Sequence, residues 1–449
     1  MEWQKLLSES RTRDKHPESR RRPSWQVDFD RITFSSAFRR LQGKTQVFSL
    51  SSSDYVRTRL THSMETAVVA RSLGTAVGYA LIGELPEHIH PLEIGMVVSA
   101  AALAHDIGNP PFGHSGEDAI REWFARSHTA EEFRKELSAS EAADFMSFEG
   151  NAQGFRVLTR LQMYREDGGM RLTAATLGAA LKYPVGSTPA DRQSHKGAST
   201  KKFGFFQADK AEFEEVAHET GLIRRSEKAD CWSRHPLAFL VEAADDICYR
   251  IVDLEDACRQ GILAHEETEE LLRTLVTASQ AERVEKQETR REKINMLRAL
   301  SIGNVIAAAR EVFSANRKAI LEGEFDEDLI SQTKYAEQFA KIADVQKNKV
   351  YKTDRVVRIE AAGFRVIGGL LDAFARAIND VASAQSRKVS PSRESEKLVQ
   401  LLPDEFIGPK REPSNDAYQR LLRITDFVCG MTDAYALQLF RNLSGISLP

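Results

Sequence analysis

Four side chains in this sequence have the types and surroundings to hold a divalent cation. His105 and Asp106 stand at the end of Ala100-Ala101-Ala102-Leu103-Ala104, where Gly108, Pro110 and Pro111 stop a helix of small apolar residues. His62 opens a strongly periodic segment (Met64, Val68, Leu73, Val77), and Asp245 sits in Glu242–Ile247 among core-like positions. An unpaired carboxylate on a buried helix costs on the order of several kcal/mol. A divalent ion removes that cost, because it takes imidazole nitrogen and carboxylate oxygen together. Singly, each histidine reads better as a satisfied core residue and each aspartate as a cap or ion-pair member. The four together, on three apolar segments, point to one metal with coordination positions left for water or a phosphate oxygen. Mixed N/O ligation suits Mn, Mg, Co, Ni, Fe or Zn and does not choose among them.

Other chemistry-bearing residues stand near these in the chain. Glu117 follows His114 by three residues, close enough on one helical turn to orient or charge the imidazole. Arg59 precedes His62 by three, so it can share a wall with the metal. Asp245, Tyr249 and Asp253 are spaced by four and fall near one helical face, an aromatic ring and a carboxylate beside the metal. Gly43-Lys44-Thr45 looks like the end of a P-loop, but Phe38 occupies the position of the first required glycine. His88-Ile89-His90 reads as a Pro-flanked surface turn, and Glu360–Phe374 as a core-facing helical stretch rather than a ligand box.

Helices must position these groups. From Arg31 to about Asp256 apolar residues recur at three- and four-residue spacing (Leu237, Leu240, Val241, Ala244), and strand-like alternation is scarce. Pro184–Thr200 and Ser383–Glu396 read as loops, and Thr277–Leu297 as a charged, solvated helical face. Residues 1–25, crowded with Arg11, Arg13, Lys15, Arg20, Arg21 and Arg22, read as a loosely held basic arm. The expected organisation is that arm, a helical catalytic core over 26–260, and a helical C-terminal region over 261–449 that completes the body.

Composition narrows the function class. A chain of 449 residues that is 42% hydrophobic and 28% charged has the make-up of an ordinary globular protein. A net charge of -3 argues against a protein whose main task is coating nucleic acid, although the basic arm could touch single-stranded DNA. The longest apolar run, Ile94–Ile107, is too short to span a bilayer, and no signal-peptide core follows Met1. Four scattered cysteines without a CxxC pair fit a reducing cytosol, so a cytoplasmic location is expected.

The ordered set His62…His105-Asp106…Asp245 resembles the signature of the HD phosphohydrolase superfamily. The flanking residues resemble its dGTP triphosphohydrolase branch. The similar stretches are Phe38–Phe48, Arg57–Glu65, His105–Glu117, Glu149–Gln153, Leu181–Pro184, Lys202–Phe206, Glu242–Ala257, Glu360–Gly363 and Gly430–Asp433, which span most of the chain. The resemblance implies an all-α fold, an HD-domain helical core with a helical C-terminal extension, assembled as a homo-oligomer, often a hexamer. It implies metal-dependent hydrolysis of a dNTP, dGTP among the substrates, to deoxynucleoside and inorganic triphosphate. It implies His114 and Glu117 as the catalytic dyad, and Arg59, Lys182, Tyr183 and Lys202 as substrate contacts, both lysines on the phosphates. Gln46, Tyr249 and Asp253 are implied around the deoxyribose, where they would leave little room for a 2′-hydroxyl. An HD-type phosphodiesterase or nucleotidase, or a nucleotide-sensing scaffold, are the competing readings.

Overall fold

The computed structural model describes residues 1–11, 22–46, 57–163 and 168–446. Much of the expected basic arm (12–21) and the Val47-Phe48 end of one similar stretch lie outside them. The fold is all-α: among the described residues β-structure is limited to isolated bridges such as Thr45–Thr58. The helices that matter most for the site are α1 (Arg59–Ala80), α2 (Pro91–Ala104), α3 (His114–Arg126), α4 (Pro236–Arg259), α5 (Arg290–Ala315), α6 (Asp354–Arg387) and α7 (Ala417–Cys429). No helix among the described residues is long and apolar enough to cross a membrane.

Local chemistry sets the helix ends. Thr58 and Thr61 form a reciprocal capping box at the start of α1, so the chain turns into helix three residues before His62. Pro91 opens α2 at its first position, with the His90 imidazole accepting from the Leu92 N–H. His88 and His90 are exposed at this cap, as the composition suggested, while Ile89 between them is buried. The paired helices α1 and α2 approach closely because their seam is built of glycine. A Cβ on Gly74 would lie 3.0 Å from the Gly95 Cα, and one on Gly78 would lie 2.1 Å from the Pro91 carbonyl oxygen. Ser99 Oγ, buried in the seam, donates to the Ala67 carbonyl at 2.9 Å.

One apolar cluster gathers α1, α2, α4 and α5 with the N-terminal segments. A second gathers α3 (Ile120, Phe124) with α6 (Ile367, Leu370, Phe374) and α7 (Leu421, Val428), so residues from both halves of the chain share one core. Burial of Glu360–Phe374 follows the expected pattern from Val366 onward, whereas the first turns of α6 reach past that core.

Three segments differ from the sequence expectation. The first residues are packed: Trp3, Leu6 and Leu7 are buried, and His235 Nε2 donates to the Leu6 carbonyl at 2.9 Å. Three apolar side chains at helical spacing outweigh the charge around them. Pro184–Thr200 holds a short helix (Pro189–Gln193) and is anchored, with Val185, Ser187 and Ser199 buried and Ser199 Oγ donating to Asp326 at 2.6 Å. Its small polar residues satisfy inward-facing backbone and carboxylate groups instead of water. Helix α6 runs on to Arg387 and stops where Lys388 turns left-handed (φ 55°), well inside the expected 383–396 loop.

Candidate metal centre and substrate cavity

His62 comes from the first turn of α1, His105 from the cap of α2 and Asp245 from the middle of α4. Their ligand atoms all lie within 4.8 Å of one another. His62 Nε2 is 3.0 Å and His105 Nε2 3.5 Å from Asp245 Oδ1. The His105 ring is oriented from behind: Nδ1 sits 2.6 Å from the Ala102 carbonyl, an acceptor only, so Nδ1 carries the proton and Nε2 offers its lone pair.

Asp106, the fourth expected ligand, stands one step aside. Its Oδ1 accepts from Arg59 Nη1 at 2.9 Å and from the Asn109 amide, and lies 3.7 Å from His105 Nε2. Its Oδ2 is buried without a hydrogen-bond partner. An orphaned buried carboxylate oxygen beside two imidazoles and a second carboxylate is the donor set a divalent cation satisfies. The electrostatics agree. Burial opposes charge on His105, but Asp106 and Asp245 override it and raise the imidazole to about 9. Burial likewise resists ionisation of Asp245, and His105 and His62 hold it well below the usual carboxylate range.

A cavity of about 230 Å³ is lined by Gln46, Arg59, Phe112, Gly113, His114, Tyr249, Tyr351, Ile359 and Glu360, among others. Arg59 connects it to the metal group through Asp106. Phe112 and Gly113 both take positive φ (63° and 58°), which swings the chain from the Pro110-Pro111 stop into α3 and presents His114 at its first position. His114 is 76% exposed at the cavity, and its Nδ1 lies 2.8 Å from Glu117 Oε2. The buried Glu117 is held on its other oxygen by the Gly150 N–H at 2.7 Å. Burial would raise the Glu117 carboxyl, but the His114 hydrogen bond and Lys202 keep it below the usual range.

The remaining expected contacts divide. Gln46 and Tyr249 line the cavity, and Gln46 Oε1 is buried without a partner. Asp253 accepts from the Tyr351 hydroxyl at 3.2 Å, and burial pushes its carboxyl up to about 7. Lys202 pairs with Glu149 at 2.9 Å and lies 3.8 Å from Glu117, beside the dyad. Lys182 pairs with Glu242 at 3.1 Å, three residues before Asp245 on α4. Tyr183 is buried, with Lys182 and Arg234 over its ring. Lys182, Tyr183 and Lys202 do not line this cavity; both lysines rest on carboxylates. The P-loop look-alike Lys44 is buried, its Nζ donating to the Asn109 and Cys429 carbonyls.

Several participants carry no expectation from the sequence. Tyr351 lies tilted at 6.0 Å from the Tyr249 ring and bonds Asp253, yet it sits about a hundred residues away in a lysine-rich, surface-like stretch without any local signal. Glu360 opens the stretch expected to be core, and Ile359 carried no expectation; the start of α6 instead forms a cavity wall. Arg57 ties α1 to α4, bonding Glu65, Glu255 and Asp256 at once. Glu149 and Asn109 lie inside similar stretches but show their roles only through contacts to Lys202, Arg121 and Asp106.

A helical body that brings His62, His105-Asp106 and Asp245 together defines an HD-domain phosphohydrolase. Residues 59–172 match the HD domain family, and residues 329–442 match the phosphohydrolase-associated domain. Two similar proteins, from Synechocystis sp. (43% identical) and Pseudomonas aeruginosa (40%), each align over the whole of both chains. Both carry the name deoxyguanosinetriphosphate triphosphohydrolase-like protein. A deoxyguanosinetriphosphate triphosphohydrolase of Serratia proteamaculans is 30% identical over 93% of each chain. The chain belongs to the deoxyguanosinetriphosphate triphosphohydrolase family of HD-domain hydrolases, whose HD domain implies a divalent metal.

Proposed function

We propose that this protein hydrolyses a deoxynucleoside triphosphate, dGTP among its substrates, to the deoxynucleoside and inorganic triphosphate. The observation that carries the reading is the Gln46–Arg59–His114–Tyr249–Tyr351 cavity opening beside the His62/His105/Asp245 group. His62, His105, Asp106 and Asp245 would hold one divalent ion, Mn, Mg, Co, Ni, Fe or Zn. When bound, that ion supplies Lewis-acid charge for an α-phosphate oxygen.

The reaction replaces the P–O5′ bond by a P–O bond from water, and the 5′-oxygen departs as a poor leaving group needing a proton. His114 would give it. With Nδ1 turned to Glu117, Nε2 would carry the proton toward the leaving oxygen while Glu117 steadies the ring. Arg59, already on the cavity wall, offers guanidinium donors to the phosphates, with Lys182 and Lys202 as further cations once a triphosphate competes for them. Tyr249 would pack on the sugar while Gln46 and Asp253 serve its hydroxyl, and the Tyr351–Asp253 bond would close the space a 2′-hydroxyl needs. Glu360, also in the lining, would accept a hydrogen bond from a base edge that donates one. Assembly as a homo-oligomer, hexameric in keeping with the resemblance, and a cytoplasmic setting complete the proposal, with single-stranded DNA as a candidate regulatory ligand of the basic N-terminus.

Mass spectrometry of the products of the four dNTPs across several divalent ions tests it. Inorganic triphosphate with free deoxynucleoside supports the reading. Pyrophosphate with a monophosphate, turnover of ribonucleotides at equal rate, or binding without turnover would each replace it, the last by a sensing role.

A further inference from the structure

A second cavity, of about 180 Å³, lies against Ile107 and Gly108, the two residues that follow the His-Asp pair, and shares no lining residue with the substrate cavity. Its polar groups are mismatched in one consistent way. Arg40, on its wall, makes a single hydrogen bond, to Ser36 Oγ at 3.3 Å, and among the described residues no carboxylate lies within ion-pair distance. Four of its five N–H donors are therefore unused. Lys44, also on the wall and only 3% exposed, spends two of its three protons on the Asn109 and Cys429 carbonyls, each at 2.6 Å. Burial, with Arg40 among the opposing charges, pushes Lys44 down to about 8. The cavity thus holds cationic donors with no carboxylate bonded to them: Asp426 in the lining is taken up by Arg156, and Glu405 acts on Arg40 only from beyond ion-pair distance.

One acceptor is stranded in the same lining. Gln153 is 1% exposed, and its Nε2 donates to Asp426 Oδ1 at 2.8 Å. Asp426 is fully engaged by Arg156 and only accepts, so the amide cannot flip. Gln153 Oε1 is left buried with no donor. Two cations and one lone acceptor fit a tetrahedral oxyanion that keeps a proton: the negative oxygens meet Arg40 and Lys44, and the O–H meets Gln153. We propose that this cavity is a binding site for inorganic phosphate, separate from the substrate cavity and backed onto the segment that carries His105 and Asp106. Glu405, exposed at the same cavity, opposes the anion and tempers its affinity.

Calorimetric titration of the full-length protein, stripped of metal with chelator so that no turnover is required, tests the site. Phosphate should bind saturably at one per chain, and sulfate, isosteric but without a proton, about tenfold or more weakly. Arg40→Gln should weaken phosphate about tenfold, and Glu405→Gln, a surface change that leaves the fold untouched, should tighten it about threefold. Equal binding of sulfate and phosphate, no saturation by about 10 mM phosphate, or an unchanged affinity in Glu405→Gln would overturn the proposal.

Discussion

At the scale of single residues, the proposed centre would separate metal holding from proton transfer. His105 is locked by Ala102 with Nε2 toward Asp245, so His105→Ala should remove both bound metal and turnover, measured by elemental analysis and product formation on the same sample. His114 touches Glu117 and the cavity but none of the metal group. His114→Ala should keep full metal content and lower kcat by about 10²–10⁴-fold; a wild-type rate would remove it from the proton-donor role. Tyr351→Phe deletes one hydroxyl that bonds Asp253 and should narrow the preference for deoxy- over ribonucleotides, read as the ratio of kcat/KM values. The residues proposed for the metal and the dyad stand out in the sequence because each set is local or sits on an apolar helix, where a charged side chain needs a reason. Tyr351 and Arg57 could not. Their roles exist only through partners brought close by the fold, and a tyrosine among lysines or an arginine before a helix has many ordinary uses.

At the scale of elements, the glycine seam of α1 and α2 sets the spacing of the two histidines, whose ring centroids lie 5.3 Å apart. A Cβ on Gly95 would sit 2.3 Å from Thr75 Oγ1 and 2.7 Å from the Arg71 carbonyl. Gly95→Val should therefore part the helices, destabilise the fold by roughly 1–3 kcal/mol and weaken metal binding in parallel, read by thermal unfolding with and without added Mn²⁺. Unchanged metal affinity would mean that the seam does not hold the site. Helix periodicity revealed that these elements exist, and the small residues of Ala100–Ala104 pointed to close approach. Which helix they approach was not legible, because any apolar neighbour satisfies the same pattern. The N-terminal residues show the opposite failure: Trp3, Leu6 and Leu7 are too short a run to stand out against their charged surroundings, yet they bury fully.

At the scale of the whole molecule, a buried polar network fastens the C-terminal helices to the catalytic core. Arg156 bonds Asp209 and Asp426, and the Tyr418 hydroxyl and the Gln207 N–H both bond Asp144. Burial raises the Asp144 carboxyl from 3.8 to about 7. Between those values the folded protein holds a proton the unfolded chain has lost, so stability falls as pH rises through that window. Asp144→Asn keeps an acceptor and cannot ionise. It should melt higher than wild type at pH 8, by the equivalent of roughly 1–3 kcal/mol, with the advantage shrinking toward pH 4; a pH-independent difference would place the proton elsewhere. The assembled account reduces to one event, attack at the α-phosphorus of a dNTP positioned over His62, His105, Asp106 and Asp245. Turnover of dGTP in ¹⁸O-water tests it most directly: one labelled oxygen should appear in the released triphosphate and none in deoxyguanosine. Label in a nucleoside monophosphate, in orthophosphate or in the deoxyguanosine hydroxyl would contradict it.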